Sequence, residues 1–128
     1  LKKIEDSFAS AANYLKTIGW KKNKPCFFKI ELDKNIPKKY LNSSARNIKN
    51  KKKINYLKKY IKNFNDLNID TNLLAAIIIP DKDIIPGAET LSPAYIIFEN
   101  YEKILNWNRS LRFALAVCTL KQSFKDEI

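Results

Sequence analysis

A flat aromatic ring, a carboxamide and a hydroxyl stand together at Trp107, Asn108 and Ser110. They fall where two stretches of helical periodicity meet, Tyr101–Asn106 and Arg109–Lys125. A side chain at such a break reaches a cleft more readily than one inside either helix. An indole face can stack on a flat ligand, and a carboxamide donates and accepts hydrogen bonds at once. This is chemistry for holding a molecule rather than for breaking a bond. Asn108 or Ser110 can also cap the second helix and tie down the orphan N–H groups of its first turn.

Groups that break bonds are scarce. The chain has no His, and its two cysteines, Cys26 and Cys118, lie far apart with no CxxC spacing. That argues against a zinc site, and no cofactor is implied. The cysteines could pair in an oxidising compartment, but the simpler expectation is two small buried apolar residues. Glu5, Glu31, Glu99, Glu102 and Glu127 sit on charged faces or at element ends. None has an evident apolar pocket to raise its carboxyl pKa into the range of a general acid. They read as solvated charges, and no catalytic residue is assigned within this chain.

Residues 1–18 carry Ile4, Phe8, Ala11, Leu15 and Ile18 at 4-3-4-3 spacing, the inward face of an amphipathic helix. The opposite stripe of Asp6, Ser10, Asn13 and Thr17 holds no Lys in a chain rich in it. That face is therefore expected to be packed or hydrogen-bonded. Tyr14 lies at the border of the two stripes, and Gly19 ends the helix as a C′ residue would. Cys26–Leu32 alternates, with Cys26, Phe28, Ile30 and Leu32 on one face, as in a half-buried antiparallel strand. Residues 33–53 read as loop, and Ile54, Leu57, Ile61 and Phe64 predict a short helix with Lys outside. Leu74–Ile79 and Ala94–Phe98 are two further strands, joined by the turn-rich link 81–93. Phe113, Val117, Leu120 and Phe124 form one stripe; Leu111, Ala114, Leu115 and Cys118 form another roughly opposite. The helix Arg109–Lys125 is thus expected to lie buried between layers. The fold class is α+β. A helical part, residues 1–20 and 99–128, flanks a small antiparallel β-sheet unit with a Lys-rich helix, residues 21–98, inserted between two long helices.

The formal net charge of +11 comes almost entirely from Lys, with Arg only at 46, 109 and 112. Base-reading proteins favour Arg forks. A nucleic-acid reading therefore rests on Lys49–Lys62 with Tyr56 and Tyr60 interleaved. Both tyrosines border that helix's own apolar face, which weighs against it. A hydrophobic content of 45% supports a packed core. No stretch is long enough to span a bilayer, and no signal peptide is visible. The first residue is Leu1 and a helical stripe already starts at Ile4, which reads as a fragment of a longer protein.

Asp6-Ser7-Phe8-Ala9-Ser10-Ala11-Ala12-Asn13-Tyr14-Leu15, followed by Gly19-Trp20, resembles a segment of the lytic murein transglycosylase B family. So do Asn100-Tyr101 through Ile104, Trp107-Asn108-Arg109-Ser110 and Phe113-Ala114-Leu115-Ala116-Val117, in the family's order and with a small β unit between the two ends. The resemblance covers residues 6–32 and 74–124. It implies a helical lysozyme-like domain of a bacterial cell-wall enzyme, periplasmic or outer-membrane-associated, with a lipid anchor on the longer protein as its only route to a membrane. The implied partner is the glycan strand of peptidoglycan, with no nucleic acid. The implied reaction is lyase-type cleavage between MurNAc and GlcNAc that leaves a 1,6-anhydro-MurNAc end. One carboxyl group acts as acid and then base, while the sugar's own C6 hydroxyl closes the ring. In the family that Glu lies upstream of the D-x-x-A-S segment, so this chain alone is expected to be inactive. Substrate contacts carry over to matching positions. Tyr14 falls in the saccharide cleft, and Asn108 can hydrogen-bond a sugar hydroxyl, an N-acetyl group or the catalytic carboxylate. Trp107 and Phe113 stand where the family often has Tyr; they keep a stacking face and lose a hydroxyl. A noncatalytic wall-binding module, with its Lys patch on anionic wall polymers, stays open as the alternative.

Overall fold

The computed structural model describes residue 10, residues 13–81 and residues 91–124 of the 128-residue chain. The expectations placed on Ile4, Glu5, Asp6, Phe8, Ala11 and Glu127, on the Phe124 side chain and on most of the link 81–93 lie outside the described residues. The first helix, α1, is described over residues 13–17. It stops as its sequence requires. Gly19 has φ +87°. Its N–H donates to the Lys16 carbonyl at 3.1 Å, and the Trp20 N–H donates to the Leu15 carbonyl at 2.9 Å. This pair of bonds needs a left-handed residue at the corner, which glycine adopts without a Cβ clash.

Five short strands follow: β1 (Phe27–Ile30), β2 (Leu41–Asn42), β3 (Lys52–Lys53), β4 (Leu74–Ile78) and β5 (Ala94–Ile97). The sheet order is β1-β5-β4-β2, with β3 also paired to β4. β1 and β4 both run antiparallel to β5, so Phe28 and Ile77 flank Ile96. The far edge of β4 is shared. β3 pairs antiparallel with Leu74 and Ala75, while β2 pairs parallel with Ile77 and Ile78. The parallel β2 departs from the all-antiparallel expectation. Two residues carry no alternation to detect, so the stretch reads as loop. Asn42 holds it in place. Its buried carboxamide donates to the carbonyls of Ile77 and Lys49 and accepts from the Lys49 N–H, and its own carbonyl accepts from the Ile79 N–H.

Both faces of this sheet are covered. Ile30, Ala75, Ile77, Ala94 and Ile96 pack with Tyr40, Ile54, Leu57 and Ile61 of the Lys-rich segment. Ala76, Ile78 and Ile97 pack on the other side with Tyr101, Ile104, Leu105, Leu111, Ala114 and Cys118. Cys26 belongs to this second core and not to the Phe28 face. It precedes β1, where strand alternation has not begun. The Lys-rich helix is shorter than its periodicity predicts. α2 (Ile54–Leu57) is one turn, followed by a 3-10 turn over Lys58–Tyr60. Ile61 then becomes extended and bridges Leu32, with the Lys62 N–H donating to the Glu31 carbonyl. The spacing of Ile54, Leu57 and Ile61 locates the inward side correctly, but it carries no trace of the strand contact that ends the helix.

Two helices close the second core, α3 (Glu99–Trp107) and α4 (Leu111–Phe124). Leu111, Ala114 and Cys118 of α4 are buried, Phe113 and Val117 are half-buried, and Leu120 is 48% exposed. Burial on two faces is not met among the described residues, because the sheet lies against one side of α4 only. Cys26 and Cys118 are disulfide-bonded, with Cα atoms 6.1 Å apart, a normal span for a bridge. This overturns the expectation of two unpaired apolar thiols, since the fold brings both into one core. Closing a loop of this length restricts the unfolded chain by about 4–5 kcal/mol in the chain-entropy model. The native protein should therefore show no free thiol, and the Cys26→Ala/Cys118→Ala variant should lose about 2–5 kcal/mol in urea unfolding. Two titratable thiols in protein purified without reductant would contradict the bond.

Candidate functional site

Two buried polar side chains set the corner from which Trp107 and Asn108 project. Asn100 accepts from the Lys21 N–H at 2.8 Å and donates to the carbonyls of Lys21 and Lys24 at 3.0 Å each. It locks the start of α3 to the loop after α1. The Tyr101 hydroxyl donates to the Leu111 carbonyl at 2.8 Å and locks α3 to the first turn of α4; burial pushes its phenol pKa up. Sequence reading placed both residues in a motif without giving either a role. The available signal was an amide and a phenol beside the apolar side of a short helix, where burial demands hydrogen-bond partners.

α3 ends at Trp107 because Asn108 is extended, at φ −139° and ψ 113°. The Ser110 N–H donates to the Asn108 carbonyl at 2.8 Å, and the Ser110 hydroxyl accepts from the Phe113 N–H at 3.1 Å. Ser110 is thus the cap of α4. The Asn108 carboxamide is left without a hydrogen bond among the described residues. Trp107 is 61% exposed, so it is no core plug. Its ring meets that of Tyr14 edge-on, with centroids 4.7 Å apart and planes at 73°. The contact joins the first helix to the end of the third. The Tyr14 hydroxyl is buried with no hydrogen-bond partner among the described residues, and burial pushes its pKa up. Phe113 is half-buried and packs on the second core. The structure therefore brings Tyr14, Trp107 and Asn108 to one corner and turns Phe113 towards the sheet side.

Beside this corner lies a cavity of about 200 Å³, lined by Arg46, Lys51, Glu102, Asn106 and Arg109 among others. Arg109 donates to the Arg46 carbonyl at 3.2 Å across it. A larger groove of about 730 Å³ runs past Lys21, Lys51, Leu74, Glu99, Glu102 and Lys103, and none of Tyr14, Trp107, Asn108 or Phe113 lines it. Both of its carboxylates are paired with lysines. Glu99 meets Lys21 at 3.1 Å and Lys103 at 3.8 Å, and Glu102 meets Lys51 at 2.7 Å. The hydrogen bond from Lys21 holds the Glu99 carboxyl below the usual range, the reverse of what a general acid needs. Size alone does not mark a site, and the aromatic corner is the better candidate. The polar stripe of α1 is left uncovered within the described residues. Ser10, Asn13 and Thr17 are exposed, and only a local bond from the Thr17 hydroxyl to the Asn13 carbonyl, at 2.8 Å, engages them. Among the described residues nothing of this chain covers that face.

Two solved structures of SltB3 from Pseudomonas aeruginosa share this fold. The complex with NAG-NAM-pentapeptide matches with a TM-score of 0.65 at 28% identity, over 94% of this chain and 30% of that one. The complex with NAG-anhNAM-pentapeptide gives 0.64 at 29%, with the same coverage. The chain thus spans 30% of the length of SltB3, and the shared fold is the lysozyme-like mixture of helices and a small sheet. No curated protein matches the sequence. The model of the transglycosylase SLT domain family matches residues 1–122, and the chain belongs to that family.

Proposed function

We propose that this chain is a portion of a lytic transglycosylase of the murein transglycosylase B type. It works on the glycan strands of peptidoglycan, in the bacterial periplasm or at the outer membrane. The observation that carries this reading is Trp107, exposed at the α3–α4 corner and braced edge-on by Tyr14. An exposed indole with a neighbouring unspent carboxamide, Asn108, suits a pyranose ring and its N-acetyl group. The sugar ligands named for the SltB3 complexes support the same substrate class. Phe113, whose ring packs on the second core, is given no sugar contact in this reading.

In this reading the bond between MurNAc and GlcNAc breaks without water. The MurNAc C6 hydroxyl attacks its own anomeric carbon, the GlcNAc oxygen leaves with a proton from a carboxylic acid, and the resulting carboxylate takes the C6 hydroxyl proton. One carboxyl group suffices. We assign it to a Glu upstream of Asp6, outside this chain. The Lys pairing of Glu99 and Glu102 supports that assignment. The exposed stripe of Ser10, Asn13 and Thr17 is where we place the contact with the catalytic part. Residues 1–20 and 99–128 then form the helical part of the catalytic domain, and residues 21–98 its β unit.

In the longer protein, Trp107→Ala should weaken binding of muropeptide oligomers about fivefold to tenfold, the scale of one aromatic contact. Unchanged affinity would place the glycan elsewhere. Asn108→Ala should lower turnover of murein about threefold to tenfold, the scale of one hydrogen bond. A variant with full turnover would remove Asn108 from the site. Residues 1–128 alone should release no anhydro-muropeptide from purified sacculi; release would place the acid within this chain.

A further inference from the structure

The Lys-rich segment takes no part in the aromatic corner, yet it builds a site of its own. Its parts 38–40 and 52–60 meet at three tyrosines. Tyr40 is buried, and its hydroxyl donates to the Tyr56 hydroxyl at 3.0 Å. The Tyr40 ring lies 5.9 Å from that of Tyr56 and 6.3 Å from that of Tyr60. Asn50 pins the two parts together by donating to the Lys39 carbonyl. Tyr56 itself is 43% exposed. A hydroxyl has one proton to give. Tyr40 spends its proton on Tyr56, so the Tyr56 proton remains for an acceptor from outside, with none among the described residues.

Three ammonium groups flank the Tyr40–Tyr56 pair. Lys59 sits 4.6 Å from the Tyr56 ring and 5.1 Å from the Tyr60 ring, Lys52 lies 5.7 Å from Tyr56, and Lys39 lies 5.2 Å from Tyr40. Lys21, Lys51 and Lys103 each pair with a carboxylate. Lys39, Lys52 and Lys59 have aromatic partners instead, and no carboxylate among the described residues. The Tyr40 hydrogen bond, with Lys59, Lys39 and Lys52, draws the Tyr56 pKa down, while Tyr40 is pushed up to about 12. The field that favours a phenolate there favours any other oxyanion.

We propose that Tyr56, Lys39, Lys52 and Lys59 form a binding site for the phosphodiester groups of an anionic polyol-phosphate chain. Lys binds phosphate as a point charge, and the lysines of this cluster, unlike Lys21, Lys51 and Lys103, are not spent on a carboxylate of the described residues. A base would need an open ring face to stack on. Lys59 already covers one face of Tyr56 and of Tyr60, which favours a phosphate chain without bases. The site is independent of the glycan corner, and its failure would leave that reading untouched.

The test is calorimetric titration of the 128-residue chain with oligomeric poly(glycerol phosphate) at about 150 mM salt, where diffuse attraction is largely screened. Lys59→Gln should weaken binding about fivefold or more and Tyr56→Phe about threefold, the scale of one solvent-exposed hydrogen bond. Lys16→Gln, which removes an equal charge on α1, should change it less than about twofold. Absence of binding, equal losses for Lys59→Gln and Lys16→Gln, or equally tight binding of oligothymidylate of matched charge would each overturn the proposal.

Discussion

β4 is buried on both faces, and the layers on either side of it follow from that. Every residue from Ala75 to Ile79 is buried. Successive side chains point to opposite faces, so a run with no polar position cannot border water on either side. The sheet therefore needs two covers. The helices α3 and α4 provide one, and the Lys-rich segment provides the other.

The second cover explains how so cationic a chain keeps a packed core. Ile54, Leu57 and Ile61 point inward while their Lys neighbours stay exposed. A long helix could not do this work. The free edge of β4 carries backbone groups that need partners, and buried partners are obligatory. Short strands at 41–42 and 52–53 and the Leu32–Ile61 bridge supply them. Breaking the helix after one turn is the consequence.

The first cover sets the geometry of the aromatic corner. Asn100 ties α3 to the 21–24 loop, and the disulfide ties α4 to Cys26 just beyond it. Tyr101 then joins the two helices to each other. With both helices anchored, the extended residue Asn108 and the exposed ring of Trp107 are presented from a rigid break. A binding side chain held this way loses little freedom when a ligand arrives.

What depends on near neighbours is legible along the chain. The stop at Gly19 needs only one residue with positive φ, the strands at 74–79 and 94–98 need only their apolar runs, and the break at Trp107–Ser110 shows as a change of stripe. Periodicity also placed Ile54, Leu57 and Ile61 inward. The Cys26–Cys118 bond, the Tyr14–Trp107 contact, the Tyr40–Tyr56 hydrogen bond and the parallel edge strand at Leu41–Asn42 emerge only once the chain is folded. The physical reason is common to all of these. A local pattern says which side of an element avoids water, but not what covers that side. The partners lie tens of residues away, and the pairing of the sheet edges chooses among them.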